Sequence, residues 1–163
     1  MTAEWLPLRE GDLDALCAAA ALLHPGLPER REVFAEKLRL FPAGCRRLDA
    51  GGGLAGYALA HPWTLRSVPA LDALLSALPE RPDCLYIHDV AVLPGARGGT
   101  AAAYVEYAAR VAAGMGLPAL SLVSVYATSP LWRGLGFREE AGGGGKLASY
   151  GGGAVYMVRD IRR

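Results

Sequence analysis

Apolar and polar positions along this chain change period several times, and each change marks an element. Residues 5–8 read as a short strand. An Ala/Leu run over 13–23 follows as a helix, with Asp12 its N-cap and His24-Pro25-Gly26 its stop. A second helix is predicted over 29–40, where Val33, Phe34, Leu38 and Phe41 form one apolar face. Residues 45–48 and 54–60 read as two strands of a hairpin, joined through the glycines of 50–53. After His61-Pro62-Trp63 comes a short helical piece near 71–78, then a loop over 79–82. Residues 86–93 are β-branched and aromatic enough for a buried strand, which Pro94 and Gly95 break. A helix-forming run starts at Ala101 and closes at Gly114-Met115-Gly116.

The remaining elements are shorter. Residues 119–125 read as another buried strand. Residues 129–134 read as a short helix, with Ser129 or Thr128 as cap and Pro130 in its first turn. Gly136-Phe137 opens the next strand, 142–145 is a flexible glycine run, and 154–159 is the last strand. The order is mixed α/β, antiparallel in the first half with a βαβ crossover in the second.

The chemistry concentrates in one stretch, Leu85 to Tyr107. A strand enters a Gly-rich turn, Arg97-Gly98-Gly99-Thr100, and the turn enters a helix. Such a turn aims several free backbone N–H groups at one point. The helix dipole adds partial positive charge and Arg97 a full one, so the expected guest is a phosphate or pyrophosphate.

Composition narrows the alternatives. A length of 163 residues suits one domain over 1–163 with one core, and 20% charged against 52% hydrophobic residues excludes a disordered chain. A net charge of +1 gives no electrostatic case for nucleic acid or an anionic membrane as partner. No apolar run is long enough to span a bilayer, and the acidic and basic residues near the start do not read as a signal peptide. Cys17, Cys45 and Cys84 lack the spacing of a disulfide framework or a zinc site, so reduced thiols, no metal and a cytoplasmic location are expected. Richness in Ala, Gly and Arg suggests a GC-rich bacterial genome. No GxxxxGK[ST] loop is present, and the absence of GxGxxG argues against a dinucleotide-binding domain.

The stretch VAVLPGARGGTAAA, Val90 to Ala103, resembles the acyl-CoA signature of the GNAT family, the Gcn5-related N-acetyltransferases. In that signature a strand ending V-x-P leads to an R/Q-x-x-G-x-G/A loop. SPLWRGLGF, Ser129 to Phe137, is similar to the family's late LYxxxGF segment, and the element order matches one whole domain. The resemblance implies a GNAT fold: a mixed, mostly antiparallel central sheet of about six to seven strands flanked by helices. It implies acetyl transfer from acetyl-CoA to a primary amine, a small molecule, by direct attack in a ternary complex. Val90, Ala91 and Val92 would meet the pantetheine arm; Arg97, Gly98, Gly99, Thr100, Ala101 and Ala102 would cradle the pyrophosphate; Ser129 and Trp132 would lie beside the cofactor. Homodimers are common in the family.

Two positions depart from the pattern. Thr100 stands where the loop usually has glycine, which requires a negative φ there. Trp132 stands where the family often has the tyrosine that reprotonates the CoA thiolate, and an indole cannot do that. Tyr126 and Tyr150 are the replacement candidates. His88 and Asp89 are candidates for the base, expected on opposite faces of their strand because they are adjacent. Trp63 is a candidate for the acceptor pocket. The missing tyrosine also supports an acyl-CoA sensor without turnover, and acetylation of a protein N-terminus or lysine is a third possibility.

Overall fold

The computed structural model describes residues 2–162. Among them are seven strands: β1 (Glu4–Pro7), β2 (Arg46–Asp49), β3 (Leu54–Trp63), β4 (Cys84–Val92), β5 (Ala119–Ser124), β6 (Arg138–Glu139) and β7 (Val155–Asp160). They form one sheet in the order β1-β2-β3-β4-β5-β7-β6. Every neighbouring pair is antiparallel except β4–β5. The helices are α1 (Leu13–Leu23), α2 (Arg31–Leu40), α3 (Thr100–Gly114) and α4 (Ser129–Gly134). A parallel pair needs a crossover, and α3 provides it between β4 and β5. This is the mixed, mostly antiparallel sheet that the resemblance implies, with the crossover expected in the second half.

The sheet is covered on both faces. On one, Tyr104, Val105, Ala108 and Ala112 of α3 pack with Trp132 and Phe137 against Ala58, Ala60, Leu85, Ile87 and Leu122. On the other, Leu13 and Leu16 of α1 and Phe34 and Leu38 of α2 cover Tyr57, Leu59 and Ala91. Beyond them on that second face, Tyr86, Tyr156 and Val158 lie under Val68 and Tyr150.

Several elements differ from the sequence expectation for identifiable reasons. The expected helical piece at 71–78 does not form. Asp72 and Ser76 take φ values of +58° and +68°, and the backbone N–H groups of Leu75 and Ser76 donate to the buried Glu36 carboxylate at 2.6 and 2.9 Å. Those bonds replace the helical ladder. α2 starts at Arg31 rather than 29, because Arg30 is extended and Glu29 turns back to accept from the Asp72 N–H at 3.0 Å. β3 runs on through His61-Pro62-Trp63. β2 pairs with it only as far as Ala58, so Pro62 lies where one side of the strand has no partner strand and its missing N–H is tolerated. Neither expected hydroxyl or carboxylate cap forms: Asp12 accepts from the Arg9 N–H, and Thr128 donates to the Val125 carbonyl. The glycines of 142–145 lead into a 3₁₀ turn, Gly144–Tyr150.

Candidate acyl-transfer site

β4 and β5 pair only where Leu85, Tyr86 and Ile87 face Leu120, Ser121 and Leu122. Both strands continue, β4 to Val92 and β5 to Ser124, without pairing to each other. The gap opens into a cavity of about 600 Å³. One half is walled by Val90, Ala91 and Val92, by the loop 97–102 and by Trp132 and Leu131 of α4. The other half is walled by Leu23, His24, Leu27, Glu29, Leu71, His88, Asp89, Tyr126 and Tyr150. Ser129 is not part of the wall. It is buried, and its hydroxyl donates to Ser124 Oγ at 3.1 Å.

The loop half is built by glycine conformations. Gly98 and Gly99 have φ of +115° and +84°, and Thr100 opens α3 outside the positive-φ region, as its side chain demands. The first helical bond runs from the Ala103 N–H to the Gly99 carbonyl at 3.0 Å, so the four preceding N–H groups have no acceptor within the helix. The Thr100 hydroxyl is engaged as a donor to the Ala96 carbonyl at 3.1 Å. Arg97 Nε–H donates to the Val92 carbonyl at 3.1 Å, which pins the guanidinium at the strand end beside the loop.

The other half holds two imidazole–carboxylate pairs. The β3–β4 register shifts so that Leu59 faces Asp89 and Ala60 faces Ile87, leaving His88 as the extra residue of a bulge. The bulge turns both His88 and Asp89 toward α1 and α2. The expectation that adjacent residues point to opposite faces is therefore corrected. His88 Nε2 lies 2.7 Å from Glu29 Oε1, and the two side chains are only 2% and 6% exposed. Burial pushes the Glu29 carboxyl up, but the charge and hydrogen bond of His88 outweigh it, and its pKa falls to about 2. Glu29 is thus a carboxylate facing His88 Nε2, and the other ring nitrogen, Nδ1, is buried and without a protein partner.

Asp89 has both oxygens occupied. Tyr57 O–H donates to Oδ2 at 2.7 Å, and His24 Nε2 lies 3.1 Å from Oδ1. Burial pulls the His24 pKa down, yet the hydrogen bond and charge of Asp89 more than reverse this, leaving it above 6.5. The half-exposed Tyr126 ring stacks on His24, with centroids 5.6 Å apart and planes 3° apart. Tyr126 and Ala127 both take left-handed φ, +53° and +57°, a strained turn that swings the phenol over the imidazole.

No family model matches the chain, and no curated protein matches it. Solved structures do. The GphF GNAT-like decarboxylase in complex with isobutyryl-CoA aligns over 98% of this chain and 100% of its own, with a TM-score of 0.79 and 20% identity. The loading GNATL domain of CurA from Lyngbya majuscula aligns over 99% and 98%, with a TM-score of 0.80 and 15% identity. Ard1 from Thermoplasma volcanium aligns over 100% of both, at 0.76 and 13%. The chain has the GNAT fold.

Within this GNAT fold, the position expected of a tyrosine offers the cavity no proton donor. Trp132 Nε1–H donates to Thr128 Oγ1 at 3.1 Å and its ring packs edge-on against Phe137. Tyr150 lines the cavity, but its hydroxyl donates to the Pro69 carbonyl at 2.7 Å, and burial raises its pKa far above the phenol value. Trp63 is not part of the cavity wall; it packs edge-on against His61. Cys84 bonds the Ser121 hydroxyl, and burial pushes its thiol up to about 11, which makes it a poor nucleophile. Sequence reasoning missed His24, Glu29 and Tyr57. His24 reads as part of a helix stop and Glu29 as the first residue of α2; only the fold brings them to β4.

Proposed function

We propose that this chain is an N-acetyltransferase, moving the acetyl group of acetyl-CoA to a small primary amine by direct attack in a ternary complex. One observation carries the reading. A single cavity joins a helix N-terminus with free N–H groups to two imidazole–carboxylate pairs, His88–Glu29 buried and His24–Asp89 partly buried, through the gap where β4 and β5 part. The free N–H groups at the start of α3 and the Arg97 guanidinium suit the pyrophosphate. The β4 edge at Val90, which has no β5 partner, suits the pantetheine arm. The acetyl-CoA thioester supplies the activated acyl group.

In this reading His88 Nδ1 takes the proton from the attacking ammonium, with Glu29 fixing the tautomer. The amine nitrogen forms its bond to the acyl carbon as the carbon–sulfur bond breaks. His24, held by Asp89, returns a proton to the departing sulfur, with Tyr126 beside it. Asp89 is a positioning residue here, since both its oxygens are already engaged.

The test is calorimetric titration with acetyl-CoA, CoA and NADH, followed by thiol release with a panel of amines. Saturable binding of the CoA species but not NADH, with amine-dependent thiol release, supports the reading. Binding without release leaves a sensor, and no binding removes the assignment. Arg97→Ala is expected to weaken acetyl-CoA binding by about 1.5–3 kcal/mol, the worth of a charge-assisted contact, read in the same titration. Tyr126→Phe is expected to lower kcat while leaving that affinity intact; an unchanged kcat assigns the proton to His24 alone.

A second reading is favoured by the likeness to a GNAT-like decarboxylase and by the absence of a tyrosine at Trp132. Two imidazoles beside the thioester suit protonation of a carbanion as well as of a thiolate. Conversion of malonyl-CoA to acetyl-CoA and carbon dioxide without an added amine distinguishes it.

A further inference from the structure

We infer that the acceptor is an apolar primary amine that carries no carboxylate or phosphate of its own; this rests on the amine-acetylation reading above. Among the described residues, the one Arg or Lys that lines the cavity is Arg97, at the loop half. The other half presents the carboxylates of Glu29 and Asp89. Each of its imidazoles is already committed, His88 to Glu29 at 2.7 Å and His24 to Asp89 at 3.1 Å. Lys37 is fully buried in α2 and does not line the cavity; its charged neighbours are Glu29, Glu36 and Asp72. Arg30 is clamped outside by Asp72 and Glu32.

An anionic group on the acceptor would therefore be buried against two carboxylates with no free cation, which a protein interior does not tolerate. An ammonium entering the same space meets those carboxylates and the unpartnered, almost fully buried His88 Nδ1. The rest of the wall is Leu23, Leu27, Leu71 and the rings of Tyr126 and Tyr150, which suits a hydrocarbon or aromatic body.

The experiment compares matched pairs that differ by one carboxylate: 2-phenylethylamine against phenylalanine, and isoamylamine against leucine. Binding to the CoA-saturated protein is measured by calorimetry, and kcat/KM with acetyl-CoA by thiol release. The expected result is at least a hundredfold preference for the uncharged-body amine in both. Leu71→Arg, which puts a guanidinium beside Glu29, is expected to shrink that preference at least tenfold. Turnover or binding of the amino acids within threefold of the amines overturns the inference while leaving acetyl transfer standing. Selective binding of the amines with no turnover overturns the acetyltransferase reading and leaves the acceptor class standing. Binding of neither member of a pair overturns the inference.

Discussion

Glu29→Ala is expected to be the most damaging single change to stability at this site, by about 3–5 kcal/mol. The cost does not come from losing a favourable surface pair. His88 is buried with it, so removing the carboxylate leaves His88 Nε2 and the Asp72 N–H both without their partner. Lys37 loses one of its anionic neighbours as well. For a chain of this length the melting temperature should fall by about 10 °C. Urea unfolding across pH separates this cause from simple loss of packing. The Glu29 carboxyl moves from 4.5 down to about 2 on folding, so its stabilisation is complete above pH 4.5 and is lost as pH falls through 2. The stability gap between wild type and variant should therefore narrow as pH falls from 5 toward 2. A gap that stays constant would assign the loss to packing. Glu32→Ala is the control: its pair with Arg30 is more than half exposed, and a change under about 1 kcal/mol is expected.

The glycine turn before α3 was legible because its signals are local. Pro94, Gly95, Gly98, Gly99 and the helix-forming run after them dictate the turn with no knowledge of the rest of the chain. The same holds for α1 and α4, whose predicted spans, 13–23 and 129–134, match the structure. What was not legible depends on pairing between distant segments. The bulge at His88 is set by how β4 registers on β3, and it alone puts His88 and Asp89 on one face. Their partners lie 59 and 65 residues away in the chain. The 71–78 segment shows the same limit in reverse. Its composition allows a helix, but the Glu36 carboxylate captures two of the N–H groups that helix would need. Trp132 was read as unable to replace a tyrosine, and its indole N–H is indeed spent on Thr128. His24, the imidazole proposed to take that tyrosine's role, sits inside a helix-stop tripeptide, where such a role has no sequence signal.

His88→Gln should have the largest effect on turnover, lowering kcat/KM by about 10²–10⁴ while acetyl-CoA affinity stays within twofold. Glutamine can still donate to Glu29 and fill the bulge, so the fold and the cofactor half are preserved. What it lacks is the basic Nδ1. The split between intact binding and lost turnover is a result that a purely structural role for His88 would not give. The pH profile adds a second readout. In the proposed mechanism the alkaline limb of kcat/KM reports loss of the protonated His24, whose pKa is raised by Asp89 above its ordinary value. His24→Gln should erase that limb, and His88→Gln should leave it in place. If His88→Gln keeps the wild-type rate, the base lies elsewhere. Asp89 would be a poor substitute, because it would have to give up Tyr57 or His24 to accept a proton.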